Sequence, residues 1–304
     1  MRLGKVICVA FQVLVGTISM GPTAASAANI YVYSAATNGI SDSPSSRFLM
    51  NGTIVVDGEI VDGDYERFVS AVADAGFGKG HVFISSPGGN VSTAVSIGSL
   101  IRALRFTTEI PDNIQGRAEC WSKSLSICTC ASACPLIYLA GVQREGTFLA
   151  IHRTFIKKER LETLSFGDAQ QIGRLQSDLV DQYLRHMGAP GALSEEMHSI
   201  PSSEVRVLPR EFVQRYLSDP PETAEWLSAK CGVFGELVKR KKDWSKEKND
   251  KALSEHYDCI RASLRDARAE TFAVSLGNAL DSISPARMRE AIGVGPTQHF
   301  NPSA

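Results

Sequence analysis

The stretch His81-Val82-Phe83-Ile84-Ser85-Ser86-Pro87-Gly88-Gly89-Asn90 decides how the chain is read. Its first five residues are a short apolar run of strand length. Ser-Pro-Gly-Gly then forces a tight turn, because Pro87 fixes φ and the two glycines admit conformations closed to other residues. Asn90 is an N-cap for the helical spacing of Ala94, Ile97, Leu100 and Leu104. Residues 106–110 return as a strand. Upstream, residues 51–61 alternate as strand-turn-strand. Residues 62–75 carry helical spacing through Tyr65, Phe68, Val69 and Val72, with Gly76 as the stop. Strand and helix alternate, which implies parallel pairing and an α/β core.

Further on, residues 116–128 read as irregular. An apolar helix is expected over 131–139, ended by Gly141, and a strand over 147–152. A long amphipathic helix follows over 167–187, with Ile172, Leu175, Leu179 and Leu184 on one side. A short helix over 194–198 and another over 209–217 complete this part. Asp219-Pro220-Pro221 marks a boundary, after which Lys, Glu, Asp and Ala dominate with helical periodicity. The organisation expected is a signal segment (1–27), a loose lead-in (28–50), an α/β domain (51–219) and a helical appendage (221–304) with a disulfide.

The signal reading rests on Arg2 and Lys5, the apolar run 6–18, and the small-x-small site Ala25-Ser26-Ala27. It makes the mature protein exported, periplasmic or secreted, with no membrane span left after cleavage. The net charge of −1 argues against an electrostatic nucleic-acid binder. The basic run Lys239-Arg240-Lys241-Lys242 is interleaved downstream with Asp and Glu and reads as a solvated helix face. Beyond Cys8 the cysteines are Cys120, Cys128, Cys130, Cys134, Cys231 and Cys259, and an even number in an exported chain suggests disulfides. Cys231 and Cys259 lie together in helical C-terminal sequence and are expected to pair. The other four cluster around Ser132 and are expected to pair among themselves. Their spacings do not repeat a zinc knuckle, so neither a metal nor another cofactor is expected.

Three short segments carry the chemistry. The Gly88-Gly89 turn offers backbone N–H groups unobstructed by side chains, just before a helix N-terminus, as an oxyanion hole requires. Ser132, in Ala131-Ser132-Ala133, stands between small residues that let a carbonyl approach, and the Ala133 N–H is a second oxyanion donor. His152 ends the strand Phe148-Leu149-Ala150-Ile151 and is placed to act as general base for Ser132. Each segment alone also reads as an ordinary turn, cap or structural histidine. In this order along the chain they supply the parts expected of a serine hydrolase.

The segments Phe83–Gly89, Cys130-Ala131-Ser132-Ala133-Cys134 and Ala150-Ile151-His152-Arg153 resemble the proteolytic subunit of Clp protease and its exported relatives in the Clp/crotonase fold. The resemblance covers about 53–217. It implies a spiral of ββα units, Ser132 as nucleophile, His152 as base, and an oxyanion hole from Gly88, Gly89 and Ala133. It also implies peptide-bond hydrolysis through an acyl-enzyme and a homo-oligomeric assembly. The chain departs from the family where the triad acid belongs. Ser202-Ser203-Glu204-Val205-Arg206-Val207-Leu208 contains no Asp, which leaves Glu204 as the nearest carboxylate. Export separates the protein from an ATP-driven unfoldase, so peptides or unfolded proteins are the expected substrates. Two other readings stand beside the peptidase: a catalytically inactive binder of peptides or proteins, and a hydrolase for another acyl substrate such as a thioester.

Overall fold

The computed structural model describes residues 27–34, 52–76, 80–120, 125–233, 235–236 and 245–283. The signal segment up to Ser26, most of the lead-in, the basic run 239–242 and the C-terminal tail lie outside the described residues.

The architecture is mixed α/β, with several sheets and a C-terminal helical segment. The main sheet has five strands: β1 (Asn29–Val32), β2 (Ile54–Asp57), β3 (His81–Ser85), β4 (Thr107–Glu109) and β7 (Arg144–Glu145), in the order β1-β2-β3-β4-β7. β2, β3, β4 and β7 are parallel, and β1 pairs antiparallel with β2 at the edge. Part of the expected lead-in is therefore a strand. β3 is central and buried at all five positions, the pattern of a parallel strand covered on both faces.

Two helices cover one face: α1 (Asp64–Ala75) and α2 (Val91–Ala103). Phe68, Val69 and Val72 of α1 and Ile97 and Ile101 of α2 meet Ile54, Val56, Val82 and Ile84 from the sheet in one core. Asn90 caps α2 as its sequence predicts, its side chain accepting from the Thr93 N–H at 3.0 Å. The opposite face carries a smaller cluster of Tyr33, Val55 and Phe83. The register aligns Tyr31, Val55, Phe83, Glu109 and Glu145 as one row across all five strands. That face thus runs from aromatic to acidic.

A hairpin of β5 (Asp112–Ile114) and β6 (Arg117–Glu119) reaches into the region read as irregular. Gln115 and Gly116, both with positive φ, form its two-residue turn. α3 (Cys134–Tyr138) starts later than the sequence suggests, because Ser132 has φ 60 and breaks the helical run. β8 (Ala150–Ile151) pairs antiparallel with β9 (Arg206–Val207). Between these strands lie α4 (Lys158–Leu161), α5 (Phe166–His186) and α6 (Gly191–Ser199); α7 (Arg210–Tyr216) follows β9. α5 crosses α2 where Gly98 leaves room for Tyr183: a Cβ at Gly98 would lie 1.9 Å from the phenol oxygen. Tyr183 donates to the Leu136 carbonyl at 2.8 Å.

Two guanidiniums fasten the helix ends. Arg144 donates to the carbonyls of Gly141 (3.2 Å), Leu217 (3.3 Å), Met187 (2.6 Å) and Leu139. Arg102 donates to those of Ala140, Leu139 and Met187. Burial, then the neighbouring Arg102 charge, pushes the Arg144 pKa down to about 10.

The C-terminal helices α8 (Pro221–Cys231) and α9 (Lys246–Ser282) do not stand apart from the core. α9 lies on α1, α2 and α8. Phe272 stacks on Phe106 with ring centres 6.5 Å apart, and Ala279 and Ile283 join the main core. Cys231 and Cys259 are disulfide-bonded, linking α8 to α9, and the other cysteines pair as Cys120–Cys128 and Cys130–Cys134. No described helix is long and apolar enough to cross a membrane.

Candidate active site

The glycine turn, the Ser132 segment and the end of β8 are held together by backbone bonds. Beyond β3, the Ser86 N–H donates to the Thr129 carbonyl at 2.8 Å, and the Ala131 N–H to Ser86 at 3.0 Å. On the other side, the Ala150 N–H donates to Cys130 at 2.8 Å and the Ser132 N–H to Ala150 at 3.0 Å. Residues 129–131 are thus wedged between the end of β3 and β8. This places Gly88, Gly89, Ser132 and His152 on one cleft of about 280 Å³.

Ser132 has φ 60, in the left-handed region that a non-glycine residue enters at a cost of about 1–3 kcal/mol. The Cys130–Cys134 disulfide spans it, and both sulfurs belong to fully buried residues. Gly88 sits against it at φ 100. A Cβ there would lie 2.4 Å from Ser132 Cβ and 2.7 Å from the Ala133 nitrogen, so only glycine fits. The Gly88 N–H is engaged by Ser86 Oγ at 3.1 Å. The N–H groups of Gly89 and Ala133 have no hydrogen-bond partner among the described residues. Of the three residues expected to form an oxyanion hole, two therefore hold available donors.

His152 is 7% exposed, and its Nδ1 lies 2.7 Å from the Arg153 carbonyl oxygen. A carbonyl only accepts, so Nδ1 is the donor, and in the neutral ring Nε2 keeps the lone pair that a general base uses. No hydrogen bond joins Ser132 Oγ to the ring. Such contacts commonly tighten only once substrate is bound.

Glu204 makes no hydrogen bond to His152. It is exposed, its N–H donates to the Pro201 carbonyl at 3.0 Å, and it does not line the cleft. β9 begins only at Arg206, so Glu204 lies in the turn before it, and the Arg153 N–H pairs with the Ile200 carbonyl at 3.1 Å rather than with this stretch.

The rest of the cleft had no signal in the sequence. Val91, Leu136, Val180 and Met197 form an apolar wall, and Lys157 pairs with Glu59 at 2.6 Å on the rim. These residues come from distant segments and share no motif. A second polar cluster lies elsewhere on the sheet. His81 Nε2 is 3.3 Å from Glu109 Oε2, Glu145 is beside them, and no serine is bonded to the group among the described residues.

No protein-family model matches the chain, and no curated protein matches it.

Proposed function

We propose that the protein is an exported serine peptidase on a Clp/crotonase-like fold, acting on peptides or unfolded proteins without an ATP-driven partner. The observation that carries this reading is Ser132, held at φ 60 on a cleft it shares with His152 and the glycine turn. Strain of this kind persists only where the surroundings enforce it, and it concentrates at functional sites.

In the mechanism, Ser132 Oγ attacks the scissile carbonyl and its proton passes to His152 Nε2. The negative oxygen is received by the N–H groups of Gly89 and Ala133. The protonated His152 then gives its proton to the leaving amine, and an ester to Ser132 remains. Water, deprotonated by His152, hydrolyses that ester and restores the serine. The Arg153 carbonyl orients the imidazole on the Nδ1 side. The apolar wall of Leu136, Val180 and Met197 favours an apolar side chain beside the cleaved bond.

A second reading, a binder of peptides on an inactive hydrolase fold, is favoured by the position of Glu204 away from the imidazole. One experiment separates the two. The mature protein is treated with a fluorophosphonate probe and the adduct is mapped by mass spectrometry. The expected result is an adduct on Ser132 that is absent in Ser132→Ala and His152→Ala but retained, within about threefold, in Glu204→Ala, because an exposed charge that does not touch the ring contributes little. Folded protein that takes no label between pH 6 and 9 would overturn the peptidase reading.

A further inference from the structure

We propose that His81, Glu109 and Glu145 form a binding site for a divalent transition-metal cation of the zinc class, separate from the Ser132 cleft. The three residues come from β3, β4 and β7. Each offers one ligand atom, and these atoms lie within 4.8 Å of one another. An imidazole nitrogen with carboxylate oxygens is a donor set that suits zinc.

The geometry supports a cation more than a direct ion pair. His81 Nε2 and Glu109 Oε2 are 3.3 Å apart. Two ligands at about 2.0 Å from a tetrahedral ion stand about 3.3 Å from each other. Glu109 is 8% exposed, and its Oε2 is buried and accepts no hydrogen bond among the described residues. At 3.3 Å this means that the ring nitrogen's axis is turned off the line to that oxygen, as when both lone pairs converge on a third atom. On the other side of the ring, Nδ1 lies 3.3 Å from Thr53 Oγ1. With Nδ1–H donating to that hydroxyl, Nε2 presents its lone pair, which is how ligating histidines are usually oriented.

The sheet register adds an independent argument. Glu109 and Glu145 are directly opposed on neighbouring parallel strands. Like charges in that position repel, and a dication between them turns the repulsion into attraction. Glu145 is exposed and gives the ion a way in, while His81 and Glu109 are buried. Three protein ligands leave a fourth position for water. His81 opens β3, whereas the glycine turn of the cleft lies beyond its other end. The cation therefore braces β3, β4 and β7 rather than taking part in chemistry at Ser132.

The test uses metal-stripped mature protein and zinc ions alone, read by metal content per chain, calorimetric titration and thermal midpoint. It does not depend on peptidase activity. The expected result is one zinc per chain and a raised midpoint, with affinity at least about tenfold weaker in Glu145→Gln and in His81→Gln. Cobalt substitution should give the intense visible bands of a four-coordinate ion. Glu145→Gln changes an exposed residue and keeps its shape, so a folding failure of His81→Gln leaves the test intact. No zinc uptake, or uptake indifferent to Glu145→Gln, overturns the proposal. It is equally overturned if zinc leaves the midpoint of the wild type unmoved.

Discussion

The Arg102–Arg144 node and the Ser132 cleft are both polar features set into the same core, yet they use polarity in opposite ways. At the node every contact is closed. Arg144 spends its Nε and both terminal nitrogens on four carbonyls, among them those of the helix-end residues Leu139, Met187 and Leu217. At the cleft, contacts are withheld. The N–H groups of Gly89 and Ala133 are left without partners among the described residues, Ser132 is held in a costly conformation, and the one bond to His152 leaves Nε2 unused. A satisfied buried network fixes structure, whereas donors and lone pairs left open are available to a substrate. The difference separates a polar region whose contacts hold the fold from one that leaves donors and a lone pair unengaged, as the proposed peptidase requires.

The largest expected effect breaks the node. Arg144→Met should destabilise the protein by about 3–5 kcal/mol, since it leaves the buried Gly141 and Leu217 carbonyls without a donor, while those of Leu139 and Met187 keep Arg102. Chemical denaturation is the measurement. Label uptake at Ser132, measured on whatever fraction stays folded, should be unchanged. A loss of less than about 1 kcal/mol would mean that water replaces the guanidinium and that the node does not hold the helix ends.

Much of this fold could be read from local pattern. His81–Ser85, the Asn90 cap and the helix after it follow from periodicity and turn chemistry within a few residues of each other. The pairing of Cys231 with Cys259 was visible because the two lie in their own helical segment. Ser132, His152 and the glycine turn were legible because each sits at a boundary between elements. Other features depend on register or on long-range packing, which no local pattern carries. β1 is a strand only because β2 offers it an edge. Glu204 lies in the turn that precedes β9, where its direction is set by the bond of its N–H to the Pro201 carbonyl. The Arg144 node and the His81 cluster gather residues from separate elements and have no spacing to betray them.

The next effect sharpens the comparison through two disulfides. Cys231–Cys259 closes a separation of 28 residues and Cys130–Cys134 one of only 4. Loop closure alone gives about 3.5 kcal/mol for the first and about 2 kcal/mol for the second. Replacing Cys231 and Cys259 by serine should therefore lower the denaturation midpoint more while leaving Ser132 labelling intact. Replacing Cys130 and Cys134 by alanine should cost less stability and remove most of the labelling, because that bridge spans the strained residue. Equal labelling in the two variants would show that the short bridge is not what holds Ser132 in place.

The smallest expected effect has the most diagnostic sign. Ser132→Gly removes the proposed nucleophile, so labelling is expected to vanish. It also places at φ 60 the one residue that accepts that conformation without steric cost. The relief of about 1–2 kcal/mol is set against the roughly 0.5–1 kcal/mol of extra chain entropy that glycine loses on folding. The net expectation is a gain of up to about 1.5 kcal/mol, seen as a raised midpoint in denaturant. Ser132→Ala is the control, since it removes the same hydroxyl and keeps the strain, and it should show no such gain. If glycine stabilises and alanine does not, the cleft is a place where stability is surrendered to position a hydroxyl, as a site selected for activity is expected to be. If both variants are neutral, the strain at Ser132 is negligible, and the φ angle ceases to support the assignment of a nucleophile.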